Sequence, residues 1–285
     1  METGGGVSYP YVLPLFYYMK PDITQLIDDA YASEQPQKAR SYIGASGIGN
    51  DCLVAIAYAH RGYPETSPDP KLKRIFRDGH KIEYHVVYDL KKAGISVMEN
   101  DPMTGKQWSY TAYNGLAIGH ADGIVEIDGV AHGLEIKSMN DAMFKSCQKK
   151  GVRYSHPKYY DQMQMMMGMA GLECFLFVSY CKNNSLYLHE YVDFDEFRYE
   201  FLMSKIERVL KDDIKKIATD ESDWRCRGCF KRNACWHGEL PTDKIKRLVE
   251  MLKQTFRESG CAVKDAPHIV KHGYLISQRR NSWKK

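Results

Sequence analysis

Glu135 and Lys137 stand two residues apart in the stretch GLEIK, so on a β-strand both side chains leave one face while Ile136 points the other way. Asp122 lies upstream, across an Asp128-Gly129 pair whose residue types suit a two-residue hairpin turn, and folding back there brings it into the same neighbourhood. Two carboxylates beside a lysine can hold a hard divalent cation such as Mg²⁺ and leave an ammonium group for a water or a phosphate oxygen. Phosphodiester hydrolysis needs those parts: a metal to polarise the phosphorus centre and activate water, and a cation to offset the charge that develops. The same spacing also fits a solvated hairpin face carrying a Glu/Lys pair.

A second constellation is made of sulfur. Cys226, Cys229 and Cys235 form a C-x2-C-x5-C arrangement, one ligand short of the four that a tetrahedral zinc or an iron–sulfur cluster takes. Cys147, Cys174, Cys181 and Cys261 fall in no ligand-like grouping and read as buried thiols.

The elements that must position these residues follow from periodicity. Asp22–Ser33 and Ser46–Gly62 read as helices, the second with Ser46 at its N-cap. Leu72, Ile75, Ile82, Val86 and Leu90 recur at mostly helical separations between Pro70 and Gly94, which predicts one long amphipathic helix. The period then becomes strand-like over Ile95–Met98, Trp108–Tyr113, Ala117–Ile127 and Val130–Ser138. The stretch YYDQMQMMMGMAGL reads as a helix whose methionines fill the core, ECFLFVSY as a buried strand and SLYLHEYV as its neighbour after an Asn183-Asn184 turn. A charged helix begins at Asp195, and another is expected over Thr242–Ser259. This order implies an α/β fold, a central mixed sheet flanked by helices.

At 285 residues and 44% hydrophobic content, the chain can bury one large core. No apolar run approaches the roughly 20 residues of a membrane span, and the N-terminus lacks signal-peptide character, so a cytoplasmic protein without a membrane partner is expected. Eight cysteines are too sparse and uneven for a disulfide framework. A formal charge of +4 permits a polyanion partner without requiring one. Lys145, Lys149, Lys150, Arg153 and Lys158 fall between the acidic strand and the methionine-rich helix, where they can line a groove for a nucleic-acid backbone. Lys231, Arg232 and the flat face of Trp236 add a similar possibility.

The order HADG, GLEIK and then YYDQMQ resembles the PD-(D/E)XK nuclease superfamily, within it the lambda-exonuclease, YqaJ and RecB-type branch. Ala121 replaces the motif's proline and leaves the acid of Asp122 intact. The resemblance runs from about Tyr42 to Val192 and implies a restriction-endonuclease-like core. It nominates Glu83, in RDGHKIEYHVVYDL, as a third metal carboxylate beside Asp122 and Glu135, with His80 and His85 as weaker candidates. It places the Ile136 carbonyl on the metal, Lys137 on the attacking water and the phosphorus, and Gln162 where it would orient the Lys137 amine or a phosphate. Tyr159 and Gln164 fall on its Tyr-x-x-Gln-x-Gln helix as contacts to DNA, and Ser46, in YIGASGIGN, on its phosphate-contacting serine. The cysteine trio resembles the iron–sulfur variants of this fold, the CRISPR-associated adaptation nucleases and the AddB subunit of helicase–nucleases. In those a distant cysteine completes the set, and Cys52, six residues after Ser46, stands at that place. The implied cofactors are Mg²⁺ or Mn²⁺ and a 4Fe-4S cluster, with zinc as the alternative.

The implied organisation is an arm and helix over 1–40, a nuclease core over 41–220, a cysteine cluster and helix over 221–260 and a basic tail over 261–285. The implied activity is a DNA exonuclease of phage or bacterial recombination, repair or DNA processing, with DNA and a recombination or helicase protein as partners. A structure-specific endonuclease and a non-catalytic cluster-bearing DNA-binding module are the alternatives.

Overall fold

The structure is a computed structural model that describes residues 20–35 and 40–238. The Gly-rich arm, the helix expected over 242–259, Cys261 and the basic tail lie outside the described residues. Helix α1 (Ile23–Ala32) starts where Asp22 accepts a hydrogen bond from the Gln25 amide at 3.0 Å. After the short strand β1 (Ile43–Gly44), the single helix expected from Ser46 is two, α2 (Ala45–Ile48) and α3 (Leu53–His60). Gly44 holds the N-cap position, so Ser46 lies inside the first turn rather than capping it. The break has two causes. The Asn50 side chain accepts from the Cys52 amide at 3.0 Å, and the Gly49 backbone runs so close to Lys158 that a Cβ would meet its Cα at 2.8 Å.

Helix α4 (Pro70–Lys92) is the long amphipathic helix expected, opened by Asp69 and Pro70 and closed before Gly94, whose φ is +84°. Strands β2 (Ser96–Met98), β3 (Ser109–Ala112), β4 (Ala117–His120), β5 (Gly123–Ile127) and β6 (Val130–Met139) follow. One strand was expected over Ala117–Ile127, but the chain changes sheets within it. β4 joins β1 and β3 in a three-stranded sheet, while β5 pairs with β2 and β6 in a five-stranded one. The Ala121 amide donates to the Trp108 carbonyl and the Asp122 amide to the Leu134 carbonyl, so Asp122 sits on the seam. The turn joining β5 to β6 has positive φ at both Asp128 (51°) and Gly129 (78°), as a type I′ hairpin requires.

Helix α5 (Asp141–Ser155), capped by Asn140, was not expected: it buries little beyond Phe144, Cys147 and Val152 and is interrupted at Gly151 (φ +71°). Helix α6 (Pro157–Ala170) completes the crossover that lets β7 (Cys174–Cys181) run parallel to β6, and β8 (Tyr187–Asp193) returns antiparallel. Helix α7 (Glu196–Leu210) and the short helices α8 (Trp224–Arg227) and α9 (Arg232–His237) close the described chain.

The larger sheet, ordered β2-β5-β6-β7-β8, is covered on both faces. Leu134, Ile136, Leu176 and Val178 face Val86 and Val87 of α4. On the other face Phe175 and Phe177 pack with Met163, Met165, Met166 and Met167 of α6. By strand alternation Glu135 and Lys137 belong to the α6 face. Among the described residues, no helix is long and apolar enough to cross a membrane.

Candidate active site and cysteine cluster

Glu135 is wholly buried under α6, where an unpaired carboxylate is costly. Its partners are specific. Gln162 Nε2 donates to Oε2 at 3.0 Å, and Lys137 Nζ forms an ion pair with Oε1, although Oε1 accepts no well-directed hydrogen bond. Gln162 thus holds Glu135, where the resemblance implied the Lys137 amine or a phosphate. Asp122 Oδ2 accepts from the Ile136 amide at 2.7 Å, which locks the seam residue onto the strand that carries Glu135 and Lys137. Glu83 enters from α4 and lies 3.4 Å from His80 Nδ1. The Lys137 ammonium stands 5.3 Å from the Tyr159 ring centroid.

The three carboxylates act on one another. Burial, then repulsion from Asp122, raises the pKa of Glu83; burial raises that of Asp122 against the pull of Lys137 and the Ile136 amide. Glu135 is pushed up to about 8 by burial, opposed by Lys137 and reinforced by Asp122 and Glu83. Burial alone would lower Lys137, but Glu135 and Asp122 outweigh it and keep the group an ammonium ion. An ammonium ion donates to oxygen anions and cannot take a proton from water. The donor set suits a hard divalent cation: three oxygen ligands, mutual repulsion for a cation to relieve, and one buried carboxylate oxygen without a hydrogen bond. Among the described residues no three His, Cys, Asp or Glu side chains form a metal-holding group as they stand. Glu135 Oε1 is turned to Lys137, so metal binding requires that oxygen to re-aim, whereas Gln162 keeps Oε2 and the Ile136 amide takes only Asp122 Oδ2, leaving Oδ1 for an ion.

Other expected contacts fare differently. Gln164 is fully buried, donates to the Asp193 carbonyl at 2.8 Å and accepts from the Asp195 amide at 2.7 Å. Both ends of its amide are spent on the β8–α7 joint, so it is no DNA contact. Lys145 pairs with Asp141 on its own helix, and Arg153 pairs with Asp195 and covers the Tyr160 ring, while Lys149 is exposed. Ser46 is exposed on α2. Lys231 is buried, donating to the Tyr63 carbonyl, and Lys216 Nζ lies 3.7 Å from the Trp236 ring centroid, so neither offers the open surface expected of it. Ser179 carried no sequence signal, because only the pairing of β7 with β6 sets it beside Lys137. Its hydroxyl is buried there with no hydrogen-bond partner.

The sulfur constellation spans the chain. Cys52 stands at the N-cap of α3, Cys226 in α8 and Cys235 in α9, and all four thiols including Cys229 are half-buried. They lie close enough to interact. Burial raises the pKa of Cys229 and Cys235, and Cys52 and Cys226 raise both further. As they stand they form no metal-holding group among the described residues, but Cys229 and Cys235 each interact with Cys52 and Cys226, and a four-sulfur donor set suits a thiolate-bound cluster or zinc in chemistry.

No protein-family model matches the chain, and no curated protein matches it. Solved structures similar to it include LHK-Exo in complex with dAMP, at 19% identity and a TM-score of 0.47 over 60% of this chain and 87% of that one. LHK-Exo, an alkaline exonuclease from Laribacter hongkongensis, matches at 18% identity and 0.47 over 66% and 91%. The protein SSO0001 matches at 14% identity and 0.40 over 73% and 94%.

Proposed function

We propose that this chain is a divalent-metal-dependent DNA nuclease of the PD-(D/E)XK type, acting as an exonuclease. The observation that carries the reading is the convergence of Asp122, Glu135 and Lys137 from one hairpin, with Glu83 brought to them by α4. Glu83, Asp122, Glu135 and the Ile136 carbonyl would hold one or two Mg²⁺ or Mn²⁺ ions. When bound, the metal supplies charge that polarises the phosphoryl group and lowers the pKa of attacking water. Gln162 holds Glu135 in place, and the Asp122 bond to the Ile136 amide holds the hairpin arms in register. Lys137, kept cationic by its neighbours, stabilises the negative charge on the pentacovalent phosphorus. Tyr159 buttresses the ammonium, and Ser46, with Lys149 on α5, engages the backbone.

Cys52, Cys226, Cys229 and Cys235 would bind a 4Fe-4S cluster that clasps the C-terminal segment to α3. The setting is phage or bacterial DNA processing, beside a recombination or helicase partner. The test uses anaerobically purified protein on end-labelled linear DNA and on closed circles, with Mg²⁺, Mn²⁺ or EDTA. Loss of linear DNA alone, blocked by EDTA, is expected. Cutting of circles would make it an endonuclease, and no cutting of either would refute the nuclease reading.

A further inference from the structure

His156 stands on the wall of the candidate site at the joint of α5 and α6, where the following Pro157 keeps it out of helical conformation (φ −138°, ψ 64°). Its ring stacks on Tyr159, with centroids 5.4 Å apart and planes 7° from parallel. Tyr159 in turn carries the Lys137 ammonium 5.3 Å from its centroid, so the imidazole lies within about 11 Å of that ammonium. One strand of a duplex places a phosphate about every 3.4 Å of axis, so this separation covers only the few phosphates nearest the reacting one.

The hydrogen bonds fix the tautomer. Ser155 has one hydroxyl proton and donates it to the Gly151 carbonyl at 2.6 Å. At the 2.8 Å contact between Ser155 Oγ and His156 Nδ1 the imidazole must therefore be the donor. Neutral His156 carries its proton on Nδ1 and presents a lone pair at Nε2, which has no hydrogen-bond partner among the described residues. Burial is the one cause of its lowered pKa. The groups that face it are Ser155 and, through Ser155, the Cys147 thiol on α5, Tyr159 on α6, and Lys137 of β6 beyond that ring.

We propose that His156 is a substrate-phosphate contact, taking up one proton at Nε2 when a nucleic-acid backbone lies along the wall formed by Lys137 and Tyr159. The proposal rests on the nucleic-acid reading of the site. A phosphate oxygen only accepts, so the lone pair of neutral His156 repels it, whereas the protonated ring donates a charge-assisted hydrogen bond. The proton comes from solvent and returns there on release. The Nδ1 bond to Ser155 is unchanged by this cycle, so the ring keeps its aim in both states. The competing role is structural, a brace of the α5–α6 joint through Ser155.

The test measures the affinity of wild type, His156→Asn and His156→Gln for a short labelled oligonucleotide in EDTA, at about pH 6 and about pH 8. Asparagine can keep a donor toward Ser155 and lacks Nε2; glutamine can offer an uncharged amide donor near the Nε2 position. Wild-type affinity should strengthen from pH 8 to pH 6 by about three- to tenfold more than that of either variant, as uptake of one proton demands. The glutamine variant should bind at pH 8 at least as tightly as wild type. Glu83, Asp122 and Glu135 titrate in all three proteins, so the difference between slopes isolates the imidazole. Equal slopes in the three proteins, or no binding by wild type, would overturn the contact. Magnesium-dependent cleavage by wild type is read in parallel. Proton-linked binding without cleavage upholds the contact and refutes the nuclease, while cleavage with equal slopes refutes the contact alone.

Discussion

Glu135 has no exposed surface and two further carboxylates for neighbours, so in the metal-free protein its ionised form opposes folding. Burial lifts its pKa above the ordinary carboxylate range, against the pull of Lys137. A carboxyl raised on folding contributes stability that is fully present below its unfolded value and is lost as pH rises through the folded one. The change that Glu135→Gln makes in the metal-free melting temperature should therefore be more favourable at about pH 8 than near pH 5, by about 2–4 °C for each kcal/mol of the difference in a chain of this size. The same variant should lose cleavage. Thermal melts in EDTA at the two pH values check this, and a change no more favourable at pH 8 than at pH 5 would contradict it. The spacing of Glu135 and Lys137 and the turn at Asp128-Gly129 were legible in the sequence because a strand has a fixed period of two. Gln162 and Gln164 were not separable there. They are two residues apart on one helix, yet one reaches the carboxylate and the other ties down the β8–α7 backbone, a difference set by which neighbours pack around α6.

At the scale of elements, the site depends on how closely α2 and α6 approach. Gly49 meets Lys158 backbone to backbone, and Lys205 of α7 reaches in to donate to the Ile48 and Asn50 carbonyls that α2 leaves unpaired at its end. A methyl group at Gly49 would press on a Cα that no rotamer change can move. Gly49→Ala should cost about 1–3 kcal/mol, as overpacking does, and displace α2 with Ser46 from α6. Urea unfolding checks the first effect, and a change below 0.5 kcal/mol, the ordinary surface range, would contradict it. Long α4 was readable from its apolar spacing and its Pro and Gly boundaries. The break between α2 and α3 and the change of sheets at Ala121–Asp122 were not, because each depends on contacts with a distant segment. Helix α5 leaves little periodic signal for a different reason: its buried positions are few and Gly151 disturbs their spacing.

At the scale of the whole molecule, two clasps bring distant parts of the chain together. The carboxylate site joins α4 to the β5–β6 hairpin, and the cysteine set joins α3 to the segment of α8 and α9. If the four thiols bind a cluster, Cys52→Ala should remove its iron and its visible absorbance and loosen the C-terminal segment, seen as faster proteolysis after α7. Retention of stoichiometric iron in that variant would contradict the assignment. The trio of cysteines was legible as an incomplete ligand set, but its fourth member lies more than 170 residues upstream and only the packing of α9 on α3 brings it near. In the proposed reaction Lys137, held cationic beside Glu135 and Asp122, acts in metal-dependent hydrolysis of DNA. The deciding measurement compares wild type and Lys137→Ala for Mg²⁺-dependent release of nucleotides from end-labelled linear DNA, with binding measured on the same preparations. Wild type should release nucleotides only with metal, and the variant should lose at least about a hundredfold in rate while still binding DNA, the scale of removing one group that stabilises transition-state charge. Near-normal release by Lys137→Ala would contradict it.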